Sequence, residues 1–373
     1  MRIGINAQRF EGQRLGVARY IEYLLKHWAT MLEPSEEVVL YLRRPLPPGD
    51  PLPAGPFRAE VLRPELTGLA WENVSLRRGA KGADVLFGPS YTLPLAYRGR
   101  SVVALHSVNE VWPGTHPWWY RHTYSRLYRA SARRATRVIV VSQSIASDIQ
   151  GYYGIPDEKI DVVPNGVDDI FRPLDDQDAV HAAQRTWIGD DRPYILFVGK
   201  LSQRRNIPVL LEAFARAKQA ERLPHVLLLF GPNHLDLPLE QLTRELGIAD
   251  SVLQTDGRLS RHAELVPVYN GADLFVSASS YEGFSLTMVE AMACGTPVVA
   301  VDRAAQREIV DGAGLLVDEA TVDALADAIA RMLGDDQLRS GMRERGLERA
   351  RLFRWEHAAR RTLEVLRRAA TAA

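Results

Sequence analysis

The chain has 373 residues, 46% of them hydrophobic and 25% charged, which fits a globular protein with room for two domains of ordinary size. Its 46 basic and 46 acidic residues cancel, which removes the electrostatic case for nucleic-acid binding. A single cysteine, Cys294, excludes a disulfide framework, and no run of about 18 apolar residues offers a membrane span.

The N-terminal MRIGINAQ lacks the apolar stretch of a signal peptide and reads as a first strand, so a cytoplasmic protein is expected. A glycine-bearing loop, GQRLGVARY at 12–20, follows. Gly12 and Gly16 are too far apart for a dinucleotide fingerprint, but Gly16 lets the backbone approach a ligand where the next helix begins. A helical pattern over 17–32 leads to a strand at 38–42 and a Pro-rich surface loop at 45–56. Strands over 85–88, 101–105 and 137–142 complete the first half. His106 ends the strand SVVAL, at the edge where α/β sheets place ligands.

Between the last two of these strands, 112–137 carries six aromatic and six arginine residues, and 111–147 holds no acidic residue. Such a stretch suits an anionic membrane surface, or an anionic or lipid-diphosphate acceptor. It equally suits an ordinary helix with inward aromatics and solvated arginines. The polar, Asp-rich segment 171–192, bounded by Pro173 and Pro193, is the expected domain break, with 171–190 as linker between domains at 1–170 and 191–352. Asp176-Gln177-Asp178 lies in that segment rather than after a core strand and reads as solvated charge, so no essential metal is expected.

The second half repeats the alternation, with strands YILFVG, VLLLFG, DLFVSAS, PVVAV and GLLV separated by helical patterns such as 207–220 and 321–333. Strand–helix alternation of this kind predicts doubly wound parallel sheets, and two such halves predict an α/β protein of two Rossmann-like domains facing a cleft. In the loop after YILFV, Gly199 and Lys200 precede Arg204 and Arg205. A strand, a glycine and then cations make a sound diphosphate clamp. Further on, EGFSLTMVE sets Glu282 before a helix expected over 286–294 and Glu290 in its second turn, with Gly295 and Pro297 ending it. A helix N-terminus accepts a diphosphate, whereas carboxylates beside it repel phosphate and prefer hydroxyls. Sugars and riboses supply hydroxyls, so the local physics indicates a nucleotide-sugar site.

Glu282, seven residues and Glu290 resemble the paired-glutamate motif of retaining glycosyltransferases with the GT-B fold, family 4 in particular. Residues 199–206 resemble that family's Gly-Arg-Leu…Arg-Lys-Asn loop, with Lys200 where the family usually has Arg and Arg205 where it has Lys. TDGRLS at 255–260 and the 12–20 loop with its Arg-Tyr are also similar to family segments, as is PNGVD around Asn165.

The resemblance implies a retaining, metal-independent transfer of a hexose or deoxyhexose from a nucleoside-diphosphate sugar to an acceptor hydroxyl. The acceptor is a saccharide, a lipid-linked or a small molecule, in polysaccharide, glycolipid or glycoconjugate synthesis. No cofactor is implied. Lys200 and Arg205 hold the diphosphate with help from Gly199 and the backbone of Gly283, Phe284, Ser285 and Leu286. Arg258 and Leu259 flank the base, Glu290 takes the ribose and Glu282 the donor sugar. His106 contacts that sugar, although relatives carry His-Asp where this chain has His106-Ser107. Gly16, Arg19 and Ser142 fall on the acceptor side, and a final helix over about 355–373 crosses back to the first domain. Glu282→Ala is expected to remove transfer with little loss of folding. A GT-B nucleotide-sugar epimerase and a catalytically silent nucleotide-sugar binder remain as alternatives.

Overall fold

The computed structural model describes residues 1–11, 16–47, 52–112, 116–259 and 261–372. Gly12, Gln13, Arg14 and Leu15 of the glycine-bearing loop lie outside the described residues, as does Ser260. The chain forms two units: Met1–Gly166 together with Arg354–Ala373, and Val167–Phe353.

The first unit is built on seven parallel strands: β1 (Arg2–Asn6), β2 (Glu37–Leu42), β3 (Phe57–Val61), β4 (Val85–Gly88), β5 (Ser101–Leu105), β6 (Arg137–Val140) and β7 (Ile160–Val162). Their order is β3-β2-β1-β4-β5-β6-β7, so the winding reverses between β1 and β4. The inner strands β4 and β5 are buried at every residue, as expected of strands covered on both faces. The C-terminal helix Trp355–Thr371 packs on the helix Val17–Trp28 inside this unit. Trp28 Nε1 donates to the Ala359 carbonyl at 2.8 Å, and Tyr23 stacks on Trp355 with centroids 4.6 Å apart. Arg367 pairs with Glu36 at 2.6 Å. Gly166, in the PNGVD turn, is held to glycine by this packing, because a Cβ there would lie 2.0 Å from the Trp355 backbone nitrogen.

The second unit has six parallel strands: β8 (Tyr194–Val198), β9 (Val226–Phe230), β10 (Val252–Thr255), β11 (Leu274–Ser277), β12 (Val298–Val301) and β13 (Leu315–Val317), in the order β10-β9-β8-β11-β12-β13. Residues 171–190, expected as a linker, are instead a packed part of this unit. Phe171 is buried with its ring edge-on to Tyr269, and Leu174 N donates to Asn270 Oδ1 at 2.8 Å. The helix Gln177–Trp187 buries Val180 and sets Trp187 against Phe230. The Asp-rich start that reads as a chain break is an N-cap: Asp176 accepts from Ala179 N at 3.0 Å. The chain passes between the units at 166/167 and again at 353/354.

Candidate active site

In the second unit the winding reverses at β8, which has β9 on one side and β11 on the other. Ligands of open α/β sheets bind beyond the carboxyl ends of strands at such a point. The loops leaving β8 and β11 are tied together there. Ser280 N donates to the Arg204 carbonyl at 2.8 Å, and Asn206 Nδ2 donates to the Ala278 carbonyl at 2.9 Å. Gly199 sits at φ +137°, a backbone conformation that favours glycine, and a Cβ on it would lie 2.4 Å from Arg205 Nη1, so the guanidinium would have to shift. The loops after β9 and β10 close on the same edge. A Cβ on Gly231 would meet the Gly199 carbonyl oxygen at 2.2 Å, and one on Gly257 would meet Gly231 Cα at 2.9 Å.

Glu282 sits in this loop pair, 6% exposed. Its Oε1 lies 2.5 Å from Arg204 Nη1 and 3.6 Å from Arg205 Nη2, and it accepts from Ser279 Oγ at 3.1 Å. Burial acts to raise the carboxyl pKa, but Arg205 and Arg204 outweigh it and hold the group below the usual carboxylate range, with help from the hydrogen bonds of Arg204 and Ser279. Burial lowers the Arg205 guanidinium; Glu282 opposes that and the like charge of Arg204 adds to it. Arg205 Nη1 donates to the Val198 carbonyl, its Cζ lies 5.5 Å from the Phe197 ring centroid, and its buried Nε has no hydrogen-bond partner among the described residues. Two guanidinium groups against one carboxylate leave net positive charge at the switch point, and Lys200 stands exposed in the same loop.

Gly283, Phe284 and Ser285 lead into the helix Leu286–Ala293, one residue shorter than expected because Cys294 is its C-cap and Gly295, at φ +79°, turns the chain. Ser285 is the N-cap but its side chain caps no backbone N–H, so the positive end of this helix carries no side-chain cap. Glu290, 4% exposed, accepts from Tyr269 Oη at 2.9 Å and lies 3.4 Å from His262 Nε2. Each carboxylate of the motif therefore has its own set of partners.

The remaining expected positions divide. Leu259 packs on the core of the second unit, whereas the Arg258 side chain is 90% exposed and paired with Asp256 at 3.0 Å. In the first unit, His106 Nε2 donates to the Pro89 carbonyl at 2.8 Å. A carbonyl only accepts, so the proton is on Nε2; desolvation lowers the ring's pKa against that bond, and the neutral ring keeps Nδ1 as an acceptor. Gly16 is the N-cap of the helix Val17–Trp28 at φ +52°, with nothing among the described residues within 4 Å of where a Cβ would stand. Arg19 has a buried Nε without a hydrogen-bond partner among the described residues. Ser142 is buried and accepts from Ile145 N at 3.2 Å as a helix N-cap.

Sequence reasoning passed over Arg204, the closest ion partner of Glu282, and over His262 and Tyr269 beside Glu290. The Arg204-Arg205 doublet was a visible signal; that its first member meets a residue 78 positions away is a product of the strand order.

Residues 182–349 match the family model of glycosyl transferases group 1, and residues 15–170 match that of glycosyltransferase family 4. The O-antigen chain mannosyltransferase B of Escherichia coli is 28% identical over 75% of this chain and 73% of its own. The D-inositol 3-phosphate glycosyltransferase of Corynebacterium urealyticum is 34% identical over 62% of this chain, which spans 56% of that relative. Among solved structures, Anabaena HepE, captured with UDP and glucose, superposes with a TM-score of 0.77 at 19% identity over 98% of this chain and 99% of its own, a likeness of fold. Two family models, one on each unit, and two parallel doubly wound sheets establish that the chain belongs to the family 4, group 1 glycosyltransferases with the GT-B fold.

Proposed function

We propose that this protein is a retaining, metal-independent glycosyltransferase that moves a hexose or deoxyhexose from a nucleoside-diphosphate sugar to an acceptor hydroxyl. The observation that carries the reading is the cluster of Arg204, Arg205 and Glu282 at the switch point of the second unit, beside an uncapped helix N-terminus. Relatives named for mannosyl and inositol phosphate glycosyl transfer, and a like-folded protein captured with UDP and glucose, support it.

The arginine pair, Lys200 and the first-turn N–H groups of the helix Leu286–Ala293 hold the diphosphate and stabilise the charge it gains on leaving. Glu290 takes the ribose hydroxyls, already desolvated and oriented by Tyr269. Glu282 orders the guanidinium pair and accepts from hydroxyls of the donor sugar. The bond between the anomeric carbon and the diphosphate oxygen breaks while the acceptor oxygen bonds to that carbon on the same face, and the acceptor proton passes to the leaving phosphate. No side chain serves as nucleophile on this reading, unlike a double displacement.

Thermal-shift binding tests it, with UDP-, GDP-, dTDP- and ADP-sugars and the free diphosphates, in the absence of added metal. One donor class stabilises the fold by mass action. Absence of a shift with all of them rejects the assignment of Arg204, Arg205 and Lys200. The anomeric configuration of the first-formed product, read by proton NMR with the identified donor, decides retention.

A further inference from the structure

We infer that Glu282 discriminates the nucleotide-sugar donor from the free nucleoside diphosphate, holding Arg204 and Arg205 against the product and yielding them only to a diphosphate that brings a sugar. The inference deepens the transferase reading and rests on it. The two guanidiniums assigned to the diphosphate already face an anion. Arg204 Nη1 lies 2.5 Å and Arg205 Nη2 3.6 Å from the same Glu282 oxygen. A diphosphate that takes either cation takes it from this carboxylate.

The geometry decides which partner gives way. Glu282 is fixed at both ends: Ser279 Oγ donates to its Oε1 at 3.1 Å, and Ala305 N donates to its main-chain carbonyl at 3.2 Å. Its side chain is 8% exposed, whereas those of Arg204 and Arg205 are 24% and 15% exposed. The arginines are the longer, more rotatable and more accessible partners, so they turn toward a ligand and the carboxylate stays. Ser279 is then the remaining hydrogen-bond donor to that carboxylate among the described residues. A buried charge stripped of its partner is strongly unfavourable, and an anion beside it adds repulsion.

Donor and product differ at this point. The sugar of the donor offers hydroxyls to Glu282 as the diphosphate draws the arginines away, so each charge keeps a partner. After transfer the sugar has left with the acceptor. The free diphosphate and the tethered carboxylate then compete for the same two cations. An unpaired charge built against one ligand and relieved by another is a source of selectivity, and here it disfavours retention of the product. The loops keep the competitors within reach, because Ser280 N and Oγ both donate to the Arg204 carbonyl, at 2.8 and 3.1 Å. An ion pair that served only to join these loops has the opposite consequence: its loss weakens binding of donor and product alike.

Isothermal titration of the full chain tests this with inorganic pyrophosphate, with UDP, GDP, dTDP and ADP, and with their sugars, in the absence of acceptor. Glu282→Gln removes the charge and keeps the shape. It is expected to bind pyrophosphate and the recognised nucleoside diphosphate at least tenfold more tightly than wild type. Its preference for the nucleotide sugar over the free diphosphate falls by at least tenfold, because it also loses the carboxylate that meets the sugar. Unchanged or weaker diphosphate binding by a Glu282→Gln protein that melts cooperatively overturns the inference and leaves the transferase reading in place. If that variant does not melt cooperatively, wild type decides. Binding of the nucleotide sugar at least tenfold tighter than that of its free diphosphate supports the inference, and any smaller preference overturns it. Absence of binding by wild type to every one of these ligands strikes the transferase reading instead.

Discussion

Arg204 Nη1 and Glu282 Oε1 lie 2.5 Å apart, joining the loop after β8 to the loop after β11 across the point where the sheet reverses its winding. The pair changes what loss of Glu282 means. Glu282→Ala leaves Arg204 and Arg205, 24% and 15% exposed, facing each other without their carboxylate. Removing one partner of a buried ion pair destabilises by about 3–5 kcal/mol. The expectation of little loss of folding is therefore replaced by a clear fall in melting temperature. Glu282→Gln keeps the shape and one acceptor oxygen, and is expected to melt between Glu282→Ala and wild type while losing most transfer. Calorimetry and donor turnover on both variants check this; equal melting of Glu282→Ala and wild type rejects it.

Lys200 and Arg204 offer a second contrast. Lys200 is exposed, so Lys200→Ala is expected to leave stability within about 0.5 kcal/mol while reducing the donor-induced thermal shift. Arg204→Ala removes the nearest partner of a buried carboxylate and is expected to lower both the melting temperature and the donor shift. A melt for Lys200→Ala as low as that for Arg204→Ala contradicts the separation of roles.

The fold was legible where strands are inner and continuous. β8, β9, β11 and β12 were read from apolar runs, and so were β1, β4, β5 and β6. The missed strands β3, β7 and β10 are all sheet edges without a single buried residue, although β13, an edge of the same kind, was read from GLLV. The paired glutamates and the basic loop were legible as a motif, but their partners were not. Arg204 meets Glu282, and His262 and Tyr269 meet Glu290, only because the parallel order brings distant loops to one edge. The Asp-rich 171–190 was misread because capping residues and chain breakers share a composition.

Glu290 and Tyr269 separate nucleoside recognition from phosphate recognition. Tyr269→Phe removes the hydroxyl that donates to Glu290 at 2.9 Å and leaves the ring packing against Phe171 and Phe275. Glu290→Gln removes the charge. Both are expected to weaken binding of the stabilising nucleoside diphosphate several-fold and to leave binding of inorganic pyrophosphate unchanged. Isothermal titration with the two ligands reads the difference. A parallel loss with pyrophosphate would place Glu290 on the phosphates.

Glu72, in the first unit, gives the protein a pH dependence of known sign. Asn6 Nδ2 and Thr92 Oγ1 both donate to Glu72 Oε2, at 2.9 and 2.7 Å, while the buried Oε1 has no hydrogen-bond partner among the described residues. Burial raises the carboxyl from 4.5 to about 7, with the Thr92 and Asn6 bonds pulling the other way. Below pH 4.5 the group is protonated in the folded and unfolded chains alike. Between 4.5 and 7 the unfolded chain releases the proton and the folded chain keeps it, so stability falls as pH rises; above 7 both are ionised and the fall stops. A shift of that size is worth about 3 kcal/mol. Glu72→Gln has no proton to release, so its stability relative to wild type is expected to rise by an amount approaching this figure between pH 4.5 and pH 8. Urea unfolding of both proteins at the two pH values measures it, and a difference that stays constant across that range shows that Glu72 ionises in the folded protein as it does in the unfolded chain.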